Sequence, residues 1–202
     1  MKKYNIPFSP PDISEDEINE VIDTLKSGWI TTGPKTKELE RRLSEFTTTP
    51  KTVCLNSATA ALELVLRVLG IGEGDEVIVP AMTYTASCSV IYHVGAKAVI
   101  VDIQKDGHEM DYEALENAIT EKTKAVISVD LAGIPCDYDK IFEVVNAKKS
   151  LFKANSEYQK KLGRIAVVAD GAHALGSVYK GVRVGAVADF TTFSFHAVKN
   201  FT

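Results

Sequence analysis

The sequence predicts a three-layer α/β/α fold around a mostly parallel sheet. Short apolar runs alternate with helix-length amphipathic segments along most of the chain, the pattern of strands joined by crossover helices. Several runs, among them Glu76-Val-Ile-Val79, Lys124-Ala-Val-Ile-Ser-Val-Asp130 and Ile165-Ala-Val-Val-Ala169, show almost no polar alternation, as expected of strands covered on both faces. One such run stops at Asp170 and another, Phe190 to Phe195, stops shortly before Lys199.

In chain order, Ser14-Glu-Asp-Glu17 has the form of a capping box. Ile18, Val21, Ile22 and Leu25 follow at helical spacing, so residues 14–27 are expected to be a helix closed by Gly28. Gly28-Trp-Ile-Thr-Thr-Gly-Pro34 reads as a connection, with Pro34 suited to start the next helix; Leu39, Leu43 and Phe46 give that helix an apolar face. Thr52-Val-Cys-Leu55 is expected to be a short strand, and a helix runs from Asn56-Ser-Ala-Thr59 to about Leu69, broken by Gly70 and Gly72. Glu76 to Val79 is a strand ended by Pro80, 83–94 a helix closed by Gly95, and Lys97 to Asp102 a strand. Tyr112, Leu115 and Ile119 mark another helix, Lys124 to Asp130 a strand, and Asp137 to about Asn146 a helix. The Lys-rich stretch 147–164 either extends that helix or forms a solvated turn. Ile165 to Ala169 and Phe190 to Phe195 are the last expected strands.

Composition narrows the function class. The 202 residues are 45% hydrophobic and 25% charged, with 23 basic against 27 acidic groups and a net charge of −4. That is the profile of an ordinary globular protein with no electrostatic reason to bind nucleic acid or an anionic membrane. Cys54, Cys88 and Cys136 are odd in number and far apart, so they read as small core residues, not a disulfide framework or a metal site. No run approaches membrane-span length and no signal peptide opens the chain. Cytoplasm is the expected compartment.

Asp170 and Lys199 are the residues around which a site can be built, because ligands of open α/β sheets collect at the carboxyl ends of the strands. A strand-end Asp can hold a pyridinium N–H, and a desolvated Lys can form a Schiff base. The pair therefore reads as a pyridoxal phosphate site. The plainer readings are a loop carboxylate and a surface lysine. Asn56-Ser-Ala-Thr59 opens a helix and is either a phosphate-binding terminus or a simple cap. Ser194 is a second phosphate donor or a hydroxyl satisfied by backbone. Tyr84 is a ring-stacking residue or a core aromatic, and His173 a cofactor contact or an ordinary histidine. Spacing makes 28–34 a helix-to-helix connection; as a substrate loop it would present Trp29 and Thr31. No Gly-x-Gly-x-x-Gly follows the first strand, which counts against a nicotinamide enzyme.

Taken together, six stretches resemble the DegT/DnrJ/EryC1/StrS family of sugar aminotransferases. They are Gly28-Trp-Ile-Thr-Thr-Gly-Pro34, Asn56-Ser-Ala-Thr-Ala-Ala-Leu62, Pro80-Ala-Met-Thr-Tyr84, Val129-Asp-Leu-Ala-Gly-Ile-Pro-Cys-Asp137, Asp170-Gly-Ala-His-Ala-Leu-Gly176 and Phe193-Ser-Phe-His-Ala-Val-Lys-Asn200. The resemblance implies the large domain of a fold-type I pyridoxal phosphate enzyme, occupying residues 1–202, cut just after the Schiff-base lysine and lacking a C-terminal small domain. It implies that Lys199 is the catalytic lysine and that Asp170 pairs with the pyridine nitrogen. It places the phosphate on Ser57, Ala58, Thr59 and Ser194, Tyr84 on the ring and His173 beside it, with Trp29 and Thr31 toward the substrate. It implies transfer of an amino group from glutamate to a nucleotide-linked keto sugar in a homodimer with shared sites. Lys199, in place of the histidine of a dehydrating branch, argues for transamination. Ala132 and Ile134 replace Tyr and Gln common in that motif, and Gly171, where many members have Ala, is expected to leave room on that side of the ring. Two other readings share these residues: a different fold-type I chemistry, and a non-catalytic protein that retains the fold.

Overall fold

The computed structural model describes residues 7 and 10–201. It divides the chain into two compact units, Met1–Cys54 with Phe195–Thr202, and Leu55–Ser194. In the first unit the expected capping box forms at the start of α1 (Glu15–Ser27): Ser14 Oγ accepts from the Asp16 N–H and the Glu17 carboxylate accepts from the Ser14 N–H. Gly28, at φ +73°, ends the helix in the left-handed region that glycine favours. Pro34 opens α2 (Pro34–Thr47) at its first turn, where a missing N–H costs nothing. Lys35 of α2 pairs with both Glu20 and Asp23 of α1. Leu43 is buried, whereas Phe46 stays exposed. The expected strand at 52–55 is not formed. Val53 and Leu55 are exposed, and an alternating segment without a ladder partner remains an extended loop.

The second unit opens with α3 (Ala58–Val68) and alternates β1 (Glu76–Pro80), α4 (Thr85–His93), β2 (Lys97–Val101), α5 (Tyr112–Ala118), β3 (Thr123–Val129) and α6 (Tyr138–Ala147). Then come α7 (Glu157–Leu162), β4 (Ala166–Asp170), the short strands β5 (Val178–Tyr179) and β6 (Val182–Arg183), and β7 (Phe190–Thr192). Five strands form one parallel sheet in the order β2-β1-β3-β4-β7. Alternate strand residues serve opposite faces, as strand geometry requires. Ile78, Val126, Val167 and Ala169 pack with Leu115, Ile141 and Val145 on the α5–α6 side. Val77, Val79, Ala125, Ile127 and Val168 pack with Leu62, Leu66, Val90 and Ile91 on the α3–α4 side. The expected three layers are therefore present, with β1, β3 and β4 buried along their whole length.

Three local features differ from expectation. The stretch 147–164 neither extends α6 nor stays irregular: it makes a single 3-10 turn, Lys149–Leu151, and then α7, capped by Ser156 and closed by Gly163 at φ +68°. The segment 176–185 carries an unforeseen hairpin, β5–β6, whose two turn residues, Lys180 and Gly181, both have positive φ, the geometry of a type I′ turn. The last strand is only three residues long, so Phe193 to Phe195 lie past it. Of the cysteines, Cys136 is buried as expected, while Cys54 and Cys88 are half-buried; all three are free thiols.

One ion pair braces the entry to β4. Arg164 makes a bidentate contact with Asp189 at 2.7 and 2.8 Å, and Asp189 Oδ2 also accepts from the Val167 N–H at 2.8 Å. Both side chains are largely withdrawn from solvent, and the guanidinium stacks on Phe142, 4.9 Å from its centroid. Asp189→Ala strands a guanidinium and a backbone donor at once, so it is expected to cost about 2–4 kcal/mol. Urea unfolding checks this; a loss below about 0.5 kcal/mol would show the pair to be ornamental.

Candidate functional site

Parallel strands deliver their carboxyl ends to one edge, and the strand order reverses between β1 and β3, the position at which open α/β sheets form a crevice. The helices that follow β1 and β3 start at this edge. So does α3, which runs back toward the beginning of β1 and therefore points its N-terminus the same way. The loops after β1, β3, β4 and β7 and the first turn of α3 are thus gathered at one end of the second unit.

Asp170 ends β4 at this edge, between β3 and β7, and is only 6% exposed. Its Oδ2 accepts from the Ser87 hydroxyl at 2.6 Å and its Oδ1 from the Ala172 N–H at 3.2 Å. Both donors are neutral, and a carboxylate has acceptor capacity for more than two. Ser87 is fully buried in α4 and lies 2.7 Å from Thr83 Oγ1. A serine has one proton; with it directed at Asp170, Thr83 must be the donor of the second bond. Neither hydroxyl was singled out from the sequence. Tyr84, between them and the N-cap residue of α4, is 78% exposed. It is an open aromatic face at the site edge, not a core residue.

His173 lies three residues beyond Asp170, half-buried. Its Nδ1 accepts from the Ala132 N–H at 3.2 Å, which leaves the proton of the neutral ring on Nε2. Ala132 reaches that position with φ +56° and Gly133 with φ +79°; the Ser177 hydroxyl holds the Gly133 carbonyl at 2.7 Å. At the start of α3, Ser57 Oγ accepts from the Ala60 N–H at 3.1 Å. The cap reading of Ser57 is therefore correct as geometry. By helix geometry the N–H groups of Ala58 and Thr59 still lack intrahelical acceptors, so a cap and an anion site coexist here. Ser194 follows β7, half-buried, at the same edge.

Gly171 overturns one expectation. A Cβ there would lie 3.1 Å from Thr191 Cγ2 and 3.2 Å from both Phe193 Cε1 and the Thr192 carbonyl oxygen. The space beside residue 171 is filled by β7, so the glycine serves close approach of β4 to β7 and does not open room. The Gly171 N–H donates to that same Thr192 carbonyl at 2.9 Å.

The remaining candidates belong to the first unit. Lys199 is half-buried in a turn where its N–H donates to the His196 carbonyl at 2.8 Å; nearby, Phe195 and Phe201 meet edge to face at 5.4 Å. Trp29 is 57% exposed, and its Nε1 donates to the Thr32 carbonyl at 3.1 Å. The indole lies over Gly33, where a Cβ would fall 2.2 Å from Nε1, so only glycine fits beneath it. Thr31 is exposed on the same loop.

A second acid, Asp130, follows β3 and is 1% exposed. Its N–H donates to the Asp170 carbonyl at 3.0 Å. Its carboxyl accepts from the Tyr138 hydroxyl at 2.9 Å and from the Cys136 N–H at 3.0 Å, closing the loop that carries Ala132. Burial pushes this carboxyl up to about 6, against the lowering pull of the Cys136 N–H and the Tyr138 hydroxyl, and the Asp170 charge adds to the rise. Burial also holds the Cys136 thiol well above its ordinary range, so this sulfur stays a neutral thiol. An acid whose folded pKa is raised stabilises the fold below its unfolded value, near 4, and that contribution is lost as pH rises through about 6. The loss is on the order of 2–3 kcal/mol. Asp130→Asn is expected to abolish this part of the decline in unfolding free energy between pH 4 and 6; a variant with the wild-type slope would contradict the assignment.

The family model for the DegT/DnrJ/EryC1/StrS aminotransferase family matches residues 11–202. A protein described as a sugar aminotransferase from Streptococcus pneumoniae, solved in apo, PMP and PLP forms, is 73% identical; its apo form superposes with a TM-score of 0.98 over 98% of this chain and 50% of that one. The UDP-4-amino-4-deoxy-L-arabinose–oxoglutarate aminotransferase of Shewanella sediminis is 43% identical over all of this chain and 48% of its own. Helicobacter pylori PseC, an aminotransferase involved in pseudoaminic acid biosynthesis, is 29% identical with a TM-score of 0.83, over 97% of this chain and 49% of that one. The chain thus spans about half the length of the relatives it matches, and it belongs to the DegT/DnrJ/EryC1/StrS aminotransferase family.

Proposed function

We propose that residues 1–202 form the cofactor-binding large domain of a pyridoxal phosphate-dependent aminotransferase that moves an amino group from glutamate to a nucleotide-linked keto sugar, acting as a cytoplasmic homodimer. The observation that carries this is the Asp170 carboxylate: buried at a strand end, held among the described residues by a hydroxyl and an amide, and at the same sheet edge as the α3 N-terminus. A ring that must stay protonated at nitrogen needs such a carboxylate, and a phosphate needs such a helix start. The residues present therefore fit pyridoxal phosphate, and the relatives solved in PLP and PMP forms support the same cofactor.

In this reading Asp170 holds the ring N–H. The N–H groups of Ala58 and Thr59 and the hydroxyls of Ser57 and Ser194 take the phosphate. Tyr84 presents its exposed face to the ring, and His173 lies beside it with its proton on Nε2. When bound, the cofactor supplies an electron sink for cleavage of a bond at the amino-bearing carbon. Lys199 Nζ would be the amine that holds the cofactor and would serve as the acid–base group that moves a proton at the amino-bearing carbon. Trp29 and Thr31 face the sugar-bearing substrate. The exposed loop that carries them, with an indole held flat by its bond to Thr32, suits contact with a sugar or base ring.

Borohydride reduction of the full-length protein with pyridoxal phosphate, followed by intact mass and peptide mapping, tests the reading. One adduct is expected, at Lys199, and Lys199→Ala is expected to lose it. No adduct on the full-length wild type would sink the pyridoxal reading.

A further inference from the structure

The Asp170 carboxylate is set by residues 83 and more positions away in sequence. Thr83 Oγ1 lies 2.7 Å from Ser87 Oγ, and Ser87 Oγ lies 2.6 Å from Asp170 Oδ2. Ser87 is fully buried in α4, and Asp170 nearly so at the end of β4. Because the serine proton is directed at the carboxylate, the chain of donors runs one way, from Thr83 to Ser87 to Asp170. Each bond polarises the next, and the low-dielectric surroundings strengthen both. The Ala172 N–H occupies the other oxygen, so the two bonds together hold the plane of the carboxylate.

We infer that Ser87, oriented by Thr83, is a positioning residue of the cofactor site: it fixes the Asp170 carboxylate in plane against the ring nitrogen. The inference rests on the pyridoxal reading above. It adds what that reading lacks, a reason for the Asp170 carboxylate to keep its aim in a buried setting, where an unbonded polar oxygen is costly. It also ties the loop bearing Tyr84 to the acid. The Ser87 N–H donates to the Tyr84 carbonyl at 3.1 Å, so the residue facing the ring and the residue holding the acid share one helix turn. Thr83 and Ser87 touch neither substrate nor cofactor in this arrangement; they act through Asp170.

The test uses full-length protein carrying Ser87→Ala or Thr83→Val and pyridoxal phosphate labelled with nitrogen-15 in the ring. In the wild type the ring-nitrogen resonance is expected at the protonated position. In Ser87→Ala it is expected to move toward the unprotonated position, with kcat for glutamate half-transamination lower by about 10- to 100-fold, the size of one hydrogen bond to a charged group. KM for glutamate is expected to stay within about threefold, since the lost bond acts on the ring and not on donor binding. Thr83→Val, which leaves Ser87 in place, is expected to show the same shift and a smaller loss. A Ser87→Ala protein that binds cofactor with an unmoved resonance and wild-type kcat overturns the inference and leaves the pyridoxal reading standing. A Ser87→Ala protein whose kcat and KM change together with an unmoved resonance also overturns it, because that is the mark of a general structural defect. A wild type that takes up no cofactor overturns both.

Discussion

A carboxylate withdrawn from water at the end of a strand has to be surrounded by donors, and the second unit is arranged to satisfy that requirement at Asp170. β4 carries the acid to the carboxyl edge of the sheet between β3, buried throughout, and β7, half-buried up to Thr192. β3 pairs with it through Val129 and Asp170, and the Asp130 N–H takes its carbonyl. β7 closes the other side, where the Gly171 N–H meets the Thr192 carbonyl and an added Cβ would sit in tight contact with Thr191 and Phe193. α4, arriving after β1, supplies the Ser87 hydroxyl. β3 and β7 thus hold the backbone at Asp170 and Gly171, α4 holds the carboxyl group, and the layered core behind them holds the distances.

The neighbouring acid is handled differently, which separates their roles. Asp130 is enclosed by Tyr138 and the Cys136 N–H, and burial raises its carboxyl to about 6. Its bonds are spent on the loop that ends at α6. Tyr138 in turn meets the Tyr179 ring edge to face at 5.6 Å, and the Tyr179 hydroxyl donates to Asp137 at 2.6 Å. The β5–β6 hairpin therefore buttresses the loop from outside. Through Ala132 that loop fixes the His173 tautomer. The Asp170 carboxyl is bonded by one hydroxyl and one amide, whereas the Asp130 carboxyl ties down the loop beside it.

Much of this was legible in the sequence because it is written in local patterns. The apolar run before Asp170, the capping box at Ser14 and the Pro34 start each depend on a few adjacent residues, and each appears as expected. Segments that failed lacked such patterns or lacked a partner. Thr52 to Leu55 alternates like a strand, yet a strand exists only as part of a ladder. β5 and β6 are two residues each, too short to show a period; the Lys180-Gly181 turn was the only signal. α7 was detectable only through its caps, Ser156 and Gly163. Ser87 was invisible for a different reason. Nothing around it in sequence marks it, and its partner is 83 residues away. A contact of that separation is created by sheet order, which no local window contains. The same holds for Gly171, whose neighbour is β7 and whose small size was misread as open space.

The most direct measurement is a crystal structure of the full-length protein with pyridoxal phosphate. The account places the ring nitrogen within hydrogen-bonding distance of an Asp170 carboxylate oxygen, about 2.7–3.2 Å, with the phosphate at the first turn of α3. A cofactor whose ring nitrogen faces solvent or another residue, with Asp170 still bonded only to Ser87 and Ala172, would contradict it.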